Sequence, residues 1–208
     1  MTGATVLPYG ERAVLVELAG ANKVLPLRNA LLAEAHPAVL AVVPAARTVL
    51  IEFDPAAIAA AQLRALIQRC QEVPAATGEP GGEPTVELAV HYDGADLESV
   101  AQQSGMTVAE VIRRHSSAVY TVQFCGFSPG FGYLSGLDSA LRLPRLSSPR
   151  PAVPAGSVAI AGEFTGIYPR SSPGGWLLLG RTETVLFDLR RSPPALLRPG
   201  TTVRLRRA

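Results

Sequence analysis

FCGFSPGFGYL, residues Phe124 to Leu134, places three glycines (Gly126, Gly130, Gly132), one proline (Pro129) and four aromatics (Phe124, Phe127, Phe131, Tyr133) in eleven residues. Neither a regular helix nor a plain strand requires that mixture. Glycine permits positive φ and close backbone approach, while proline fixes its own φ and favours an extended Ser128. The stretch reads as a rigid, aromatic-walled loop leaving a strand. A second stretch, PAGSVAIAGEFTGIYPRSSPGGW from Pro154 to Trp176, is again rich in Gly and Pro, with hydroxyls and charges between. Together the two hold seven of the chain's twelve Phe, Tyr and Trp residues. The residues alone leave two readings open. Either these loops form a surface for a ligand or partner, or they are the corners of a small β-barrel whose aromatics fill its core.

Around these loops the chain reads as β structure. Strands are expected at Ala118 to Cys125, Ser157 to Ala161, Trp176 to Gly180, Thr184 to Phe187 and Thr202 to Leu205, with Pro-rich corners between them. Before them come a strand from Thr85 to Tyr92 and a short helix capped by Asp96. A second helix follows, opened by the T-x-x-E capping box of Thr107 and Glu110 and reaching His115. Many short strands after two helices predict a closed barrel or sandwich. Upstream, residues 74–84 (PAATGEPGGEP) carry no apolar period and read as a linker. Residues 1–73 run strand (Ala13 to Leu18), helix capped by Asn22, strand (Val39 to Val43), strand (Thr48 to Phe53) and a helix from Asp54-Pro55 to Cys70. That order is most of a split βαβ, ferredoxin-like unit, with its fourth strand unassigned. The expected organisation is α+β, with domains at 1–73 and 85–208.

Bulk composition excludes several classes. Hydrophobic residues make up 48% and charged residues 17% of the 208, an ordinary globular balance. A net charge of +2 gives no nucleic-acid footprint. The two cysteines, Cys70 and Cys125, lie far apart without a CxxC, as in reduced, cytoplasmic proteins. No apolar run reaches the roughly 18 residues of a membrane span, and the N-terminus lacks a signal-peptide pattern. Lys23 is the only lysine among 19 basic residues, so any anion anchor in the second half must be arginine. The sequence contains no GK[ST] phosphate loop, no G-x-S-x-G elbow and no metal-ligand spacing.

RRHSS (Arg113 to Ser117), the two Gly-Pro stretches and GRT (Gly180 to Thr182) resemble the family called allophanate hydrolase subunit 1. It is also known as the B-type subunit of 5-oxoprolinase or the sporulation-kinase inhibitor KipI. The likeness extends to YGERAVLVEL and AVVPAARTVLIEFDP and so covers nearly the whole chain. It departs at Glu163-Phe164, where a Gly-Gln or similar pair is expected, and at Gly132, where proline is frequent. The resemblance implies a ferredoxin-like N-terminal domain and a cyclophilin-like β-barrel C-terminal domain. It implies ATP, with Mg in the assembled complex, and ATP-dependent opening of 5-oxoproline to glutamate. It implies as partners a homologous subunit 2 (the C-type oxoprolinase component) and a third oxoprolinase subunit. Related modules form the carboxyltransferase part of urea carboxylase, and a kinase-inhibiting binding protein is a further alternative.

Candidate residues follow from position and chemistry. His115, at the C-terminal end of its helix, is a candidate acid or base, or a histidine favoured there by the helix dipole. Glu163 is the only carboxylate between Asp138 and Glu183 and the alternative base. Arg150, Arg170 and Arg181 flank the corners, where a guanidinium can grip carboxylate or phosphate with two prongs. Phe127, Pro129, Gly130, Phe131 and Tyr133 would wall a pocket. Thr165, Tyr168, Ser171 and Ser172 offer hydroxyls to a polar substrate, or to the backbone of tight turns. Anchors without a convincing base imply a site completed by a partner.

Overall fold

The computed structural model describes residues 4–73 and 85–208 and divides the chain into two units, Met1–Gly81 and Gly82–Ala208. The segment read as a linker, 74–84, lies outside the described residues. In the first unit the alternating apolar residues of TVLIEF make a central strand. Its elements are β1 (Thr5–Pro8), β2 (Ala13–Glu17), α1 (Val24–Glu34), β3 (Val39–Pro44), β4 (Thr48–Phe53) and α2 (Ala60–Glu72). The sheet order is β1-β2-β4-β3, antiparallel throughout. The strand missing from the sequence reading is β1, four residues that precede the recognised pattern. Val14, Val16, Val49, Ile51 and Phe53 face Leu27 and Leu31 of α1 and Leu63, Leu66, Ile67 and Cys70 of α2.

Two helix starts differ from expectation. Asn22 does not cap: it lies in a 3-10 turn, Ala21–Lys23, and α1 follows with no side-chain cap. Asp54 opens a turn, its carboxylate accepting from the Ala56 N–H at 3.0 Å and its carbonyl from Ala57 and Ile58. That turn buries Ile58, and α2 begins only after Ala59, whose N–H donates to Gln62 Oε1 at 3.0 Å.

The second unit comprises β5 (Val86–Val90), α3 (Leu97–Ser104), α4 (Val108–Ser117), β6 (Val119–Cys125), β7 (Gly132–Ser135), β8 (Arg150–Val153), β9 (Ser157–Ala161), β10 (Phe164–Ile167), β11 (Ser172–Gly174), β12 (Leu177–Arg181) and β13 (Thr202–Arg207). Seven of the strands form one sheet, ordered β12-β9-β10-β7-β6-β13-β5. Its ends meet through His91 and Arg181, whose backbone groups exchange hydrogen bonds of 2.9 and 2.8 Å. The result is a nearly closed barrel. Thr184 to Phe187 is not a strand; within it Phe187 makes an isolated bridge to Ala195. The expected cap box opens α4 by half: Thr107 Oγ1 accepts from the Glu110 N–H, while the Glu110 carboxylate turns to Arg113 and Arg114.

Side-chain alternation gives the curved sheet two faces. Val158, Ile160, Leu134, Ile167, Leu177 and Leu179 join the main core with α3 and α4. Their neighbours Ala159, Tyr133 and Leu178 point the other way, into a smaller cluster with Phe131, Tyr168, Val153 and Trp176. The short sheet of β8 and β11 contributes Val153 to this second cluster.

Candidate functional site

The loop leaving β6 is built by local hydrogen bonds. Ser128 N–H donates to Gly126 O at 2.7 Å, Phe131 N–H to Ser128 O at 3.0 Å and Gly126 N–H to Phe131 O at 3.2 Å. Gly130, at φ +86°, has no room for a side chain: a Cβ there would stand 2.7 Å from Phe187 Cβ and 3.3 Å from Pro169 Cβ. The loop is thereby pinned against the segments carrying Pro169 and Phe187. Phe127 also adopts a positive φ, +64°, although it is not glycine, and the residue is 59% exposed. A bulky residue held there stores strain of roughly 1 to 3 kcal/mol.

From Phe127 the aromatics run as a continuous layer. Phe127 meets Phe131 edge-on at 5.3 Å and Tyr168 at 6.1 Å, and Phe131 meets Trp176 at 5.4 Å and Tyr133 at 5.1 Å. Tyr133 stacks on Phe124 at 4.2 Å, with Phe164 against both edges. Gly166 makes the layer possible, since a Cβ there would come within 2.8 Å of Phe131 and 2.9 Å of Trp176. Phe131 and Tyr168 are buried, whereas Tyr133, Trp176, Phe124 and Phe164 are half-buried, so the layer is core beneath and shelf above. The reading of these loops as barrel corners whose aromatics fill a core therefore holds for Phe131 and Tyr168, while Phe127 and the half-buried rings leave an exposed aromatic face.

His115 and Thr165 belong to the opposite face. Thr165 shares its orientation on β10 with Ile167, while Phe164 and Gly166 face the aromatic layer. The imidazole is fully buried, with Nε2 2.7 Å from Thr165 Oγ1 and Nδ1 2.9 Å from the Tyr92 hydroxyl. Tyr120 donates its hydroxyl to the His115 carbonyl at 2.7 Å. Burial pushes the imidazole down to about 3 and raises Tyr92 and Tyr120 above the usual phenol range. This histidine is neutral at pH 7 with both ring nitrogens engaged, a pin between α4 and β10. The sequence drew attention to it, but Tyr92, Tyr120 and the contact with Thr165 are long-range and carry no local signal.

The three candidate arginines differ sharply. Arg150 Nη2 donates to Asp96 Oδ1 at 2.6 Å, and Asp96 Oδ2 accepts from the Leu178 N–H at 2.7 Å. Asp96 thus serves Arg150 and β12 instead of capping α3, a role its N-cap position concealed. Arg181 Nε donates to Asp93 Oδ2 at 2.8 Å on the surface. Arg170 is exposed, forms no ion pair among the described residues, and follows Pro169, which packs on the Gly130 loop. Ser171 beside it is exposed and Ser172 half-buried. The hydroxyls of Ser172 and Ser128 are buried without a hydrogen-bond partner. Pro129 is exposed on the loop, and Glu163 lies exposed in the turn between β9 and β10. The structure therefore gathers Phe127, Pro129, Gly130, Phe131, Tyr133 and Tyr168 and sets Arg170, Ser171 and Ser172 next along the chain. His115 and Thr165 are apart from them, and Arg150 and Arg181 are committed to aspartates.

Two grooves open on the first unit, one of about 860 Å³ lined by Lys23, Leu27, Arg64 and Gln68 among others, and one of about 650 Å³ bordered by Tyr9, Arg12, Leu40, Leu50 and Glu52. Neither is lined by a residue of the Gly-Pro loops. Concavity and chemistry diverge here: the grooves lie in the first unit, whereas the positive-φ Phe127, the aromatic layer and the exposed Arg170 lie in the second.

The family model for the carboxyltransferase domain, subdomain C and D, matches residues 4–197. The chain belongs to this carboxyltransferase C/D family. The resemblance drawn from RRHSS and the Gly-Pro stretches agrees with it. Among its relatives, the B-type subunit of 5-oxoprolinase from Escherichia coli O157:H7 is 50% identical over 122 residues, covering 57% of this chain and 56% of that one. The chain thus matches little more than half the length of this curated relative. The crystal structure of TTHA0988 superposes with a TM-score of 0.80 at 38% identity, over 95% of this chain and 40% of that one. The Kluyveromyces lactis urea amidolyase shares the fold alone, with a TM-score of 0.72 at 22% identity over 99% of this chain and 15% of that one. Among the described residues no helix is long and apolar enough to cross a membrane.

Proposed function

We propose that this member of the carboxyltransferase C/D family is one subunit of a heteromeric, ATP-dependent 5-oxoprolinase that opens 5-oxoproline to glutamate at a site shared with a homologous subunit. The observation that carries the reading is the 50% identity to a protein named as the B-type subunit of 5-oxoprolinase. The local chemistry supports it: the Gly-Pro loops offer aromatic walls and an exposed Arg170 with no ion pair among the described residues. In this reading the first unit is ferredoxin-like, the second cyclophilin-like, and the boundary falls within 74–84. The protein acts in the cytoplasm, and its partners are the homologous subunit 2 and a third oxoprolinase component.

Arg170 fits an anionic group such as a phosphate or the substrate carboxylate, because its side chain is exposed and forms no ion pair among the described residues. ATP, as co-substrate, would supply the activation that makes the amide carbonyl open to water. Mg would enter with the ATP phosphates in the assembled complex. Phe127, Phe131 and Tyr133 exclude water from one side of the bound ring. His115 holds β10 in place as a neutral imidazole.

Co-expression with the partner subunits, followed by measurement of ATP-dependent glutamate formation from 5-oxoproline, tests the reading. The isolated chain is expected to be inactive and the complex active. Arg170→Ala should lower kcat/KM about tenfold or more with assembly unchanged. Turnover by the purified single chain, or an assembled complex that ignores 5-oxoproline, would overturn the proposal.

A further inference from the structure

The helices of the first unit cover one face of its sheet; the other face is unusually apolar. Leu7 pairs with Leu15, Leu15 with Leu50, and Leu50 with Val43, so one row of four aliphatic side chains crosses all four strands in register. Leu7 and Val43 are 41% and 47% exposed, and Tyr9 and Leu40 beside them reach 62% and 57%. An antiparallel sheet with one solvated face normally alternates apolar-in with polar-out. Here the outward positions of all four strands contribute Leu7, Leu15, Ala13, Leu50 and Ala41, and Glu17, Thr5 and Thr48 at one end of the strands and Glu52 at the other flank the row.

We propose that this face is an interface between two copies of this chain, packed sheet against sheet about a two-fold axis. Two features favour a second copy over an unrelated partner. The same surface carries both knob and hole: Tyr9 and Leu40 stand up at the border of a hollow of about 650 Å³ whose other borders include Ala13 and Leu50. An isologous contact requires that kind of self-complementarity. The charges also suit self-pairing. Glu17 has Arg47 nearby, through the hydrogen bond of Leu18 N–H to Arg47 O, and Glu52 shares its groove with Arg12 and Glu11. None of these five makes an ion pair within its own chain among the described residues, and each end of the row holds both signs, so either stacking direction brings opposite charges together. Size sets the strength: four strands span roughly 19 Å and five residues roughly 17 Å, so the two faces together cover roughly 650 Å² of flat sheet, the range of weak, transient contacts. Aligned sheets packed about 10 Å apart interdigitate such rows.

Sedimentation of the full chain from micromolar to hundreds of micromolar concentration tests the inference. A monomer–dimer equilibrium with a micromolar dissociation constant is expected. Leu50→Arg and Leu15→Glu, both at half-exposed positions outside the core, should each weaken it about tenfold or more. Leu32→Arg, which places the same charge on an exposed position of α1, should leave it unchanged. Circular dichroism on each variant separates loss of association from loss of fold, and mixing Leu15→Glu with Leu15→Lys should restore dimer if unfolding is not the cause. A chain that is monomeric at every concentration, or a dimer indifferent to Leu50→Arg and Leu15→Glu, would overturn the proposal, including the case in which a different protein covers this face. The result is independent of the oxoprolinase reading.

Discussion

At the scale of single residues, burial decides what a side chain does. His115 is held neutral, its pKa lowered from 6.5 to about 3 by desolvation. Because the folded state resists a proton that the unfolded chain accepts, stability is complete above about pH 6.5 and falls with decreasing pH until about 3. The slope is about 1.4 kcal/mol per pH unit in that window. Denaturant unfolding measured between pH 7 and 5 should show that slope in the parent and lose it in His115→Gln. Arg150 and Arg181 make a second pair of contrasts. Arg150→Ala strands Asp96, which is 8% exposed, and should cost about 2 kcal/mol, less than a fully buried pair because the arginine side chain is itself 27% exposed. Arg181→Ala removes a solvated pair and should leave the melting temperature unchanged. The sequence singled out all three of these residues but not their uses. The partners of Arg150 and Arg181 lie 54 and 88 positions away, and those of His115 lie 23 and 50 positions away.

At the scale of elements, patterns that repeat within a few residues were legible. The T-x-x-E box placed α4, the shared face of Val49, Ile51 and Phe53 placed β4, and the Gly-Pro corners on either side placed β9 at its observed bounds. Elements whose stability comes from neighbours were not. β1 is four residues ending in proline, and β10 is interrupted by Gly166, a residue poor in strand propensity that is there because two rings occupy its side-chain space. Thr184 to Phe187 alternates like a strand yet finds no edge to pair with, because β12 and the His91 bridge have already closed the sheet. Gly166→Ala should therefore act through the aromatic layer. We expect a loss of about 1 to 3 kcal/mol from overpacking and a shift in the emission of Trp176, the only tryptophan, both readable in one fluorescence-detected unfolding curve.

At the scale of the whole molecule, two separate apolar cores predict two independent losses. Removing residues 202–207 should abolish the second unit's cooperative transition while the first unit's survives, since β13 is the neighbour of both β5 and β6. Calorimetry of the truncated chain would show one transition where the parent shows the sum, and retention of both would contradict the topology. The position of β13 has a further consequence for how the protein is made. Val86 pairs with Val203, so β5 leaves the ribosome more than a hundred residues before the strand that covers it. During that interval Val86, Leu88 and Val90 are a nascent apolar edge with nothing to pair to, and the parallel pairing they await is a slow, non-local one. The described strands and helices of the first unit lie within residues 5–72 and face no such delay. Synthesis thus passes through a stage in which a finished N-terminal unit tethers an unfinished barrel, and a holding chaperone that recognises extended aliphatic segments would find its substrate in β5.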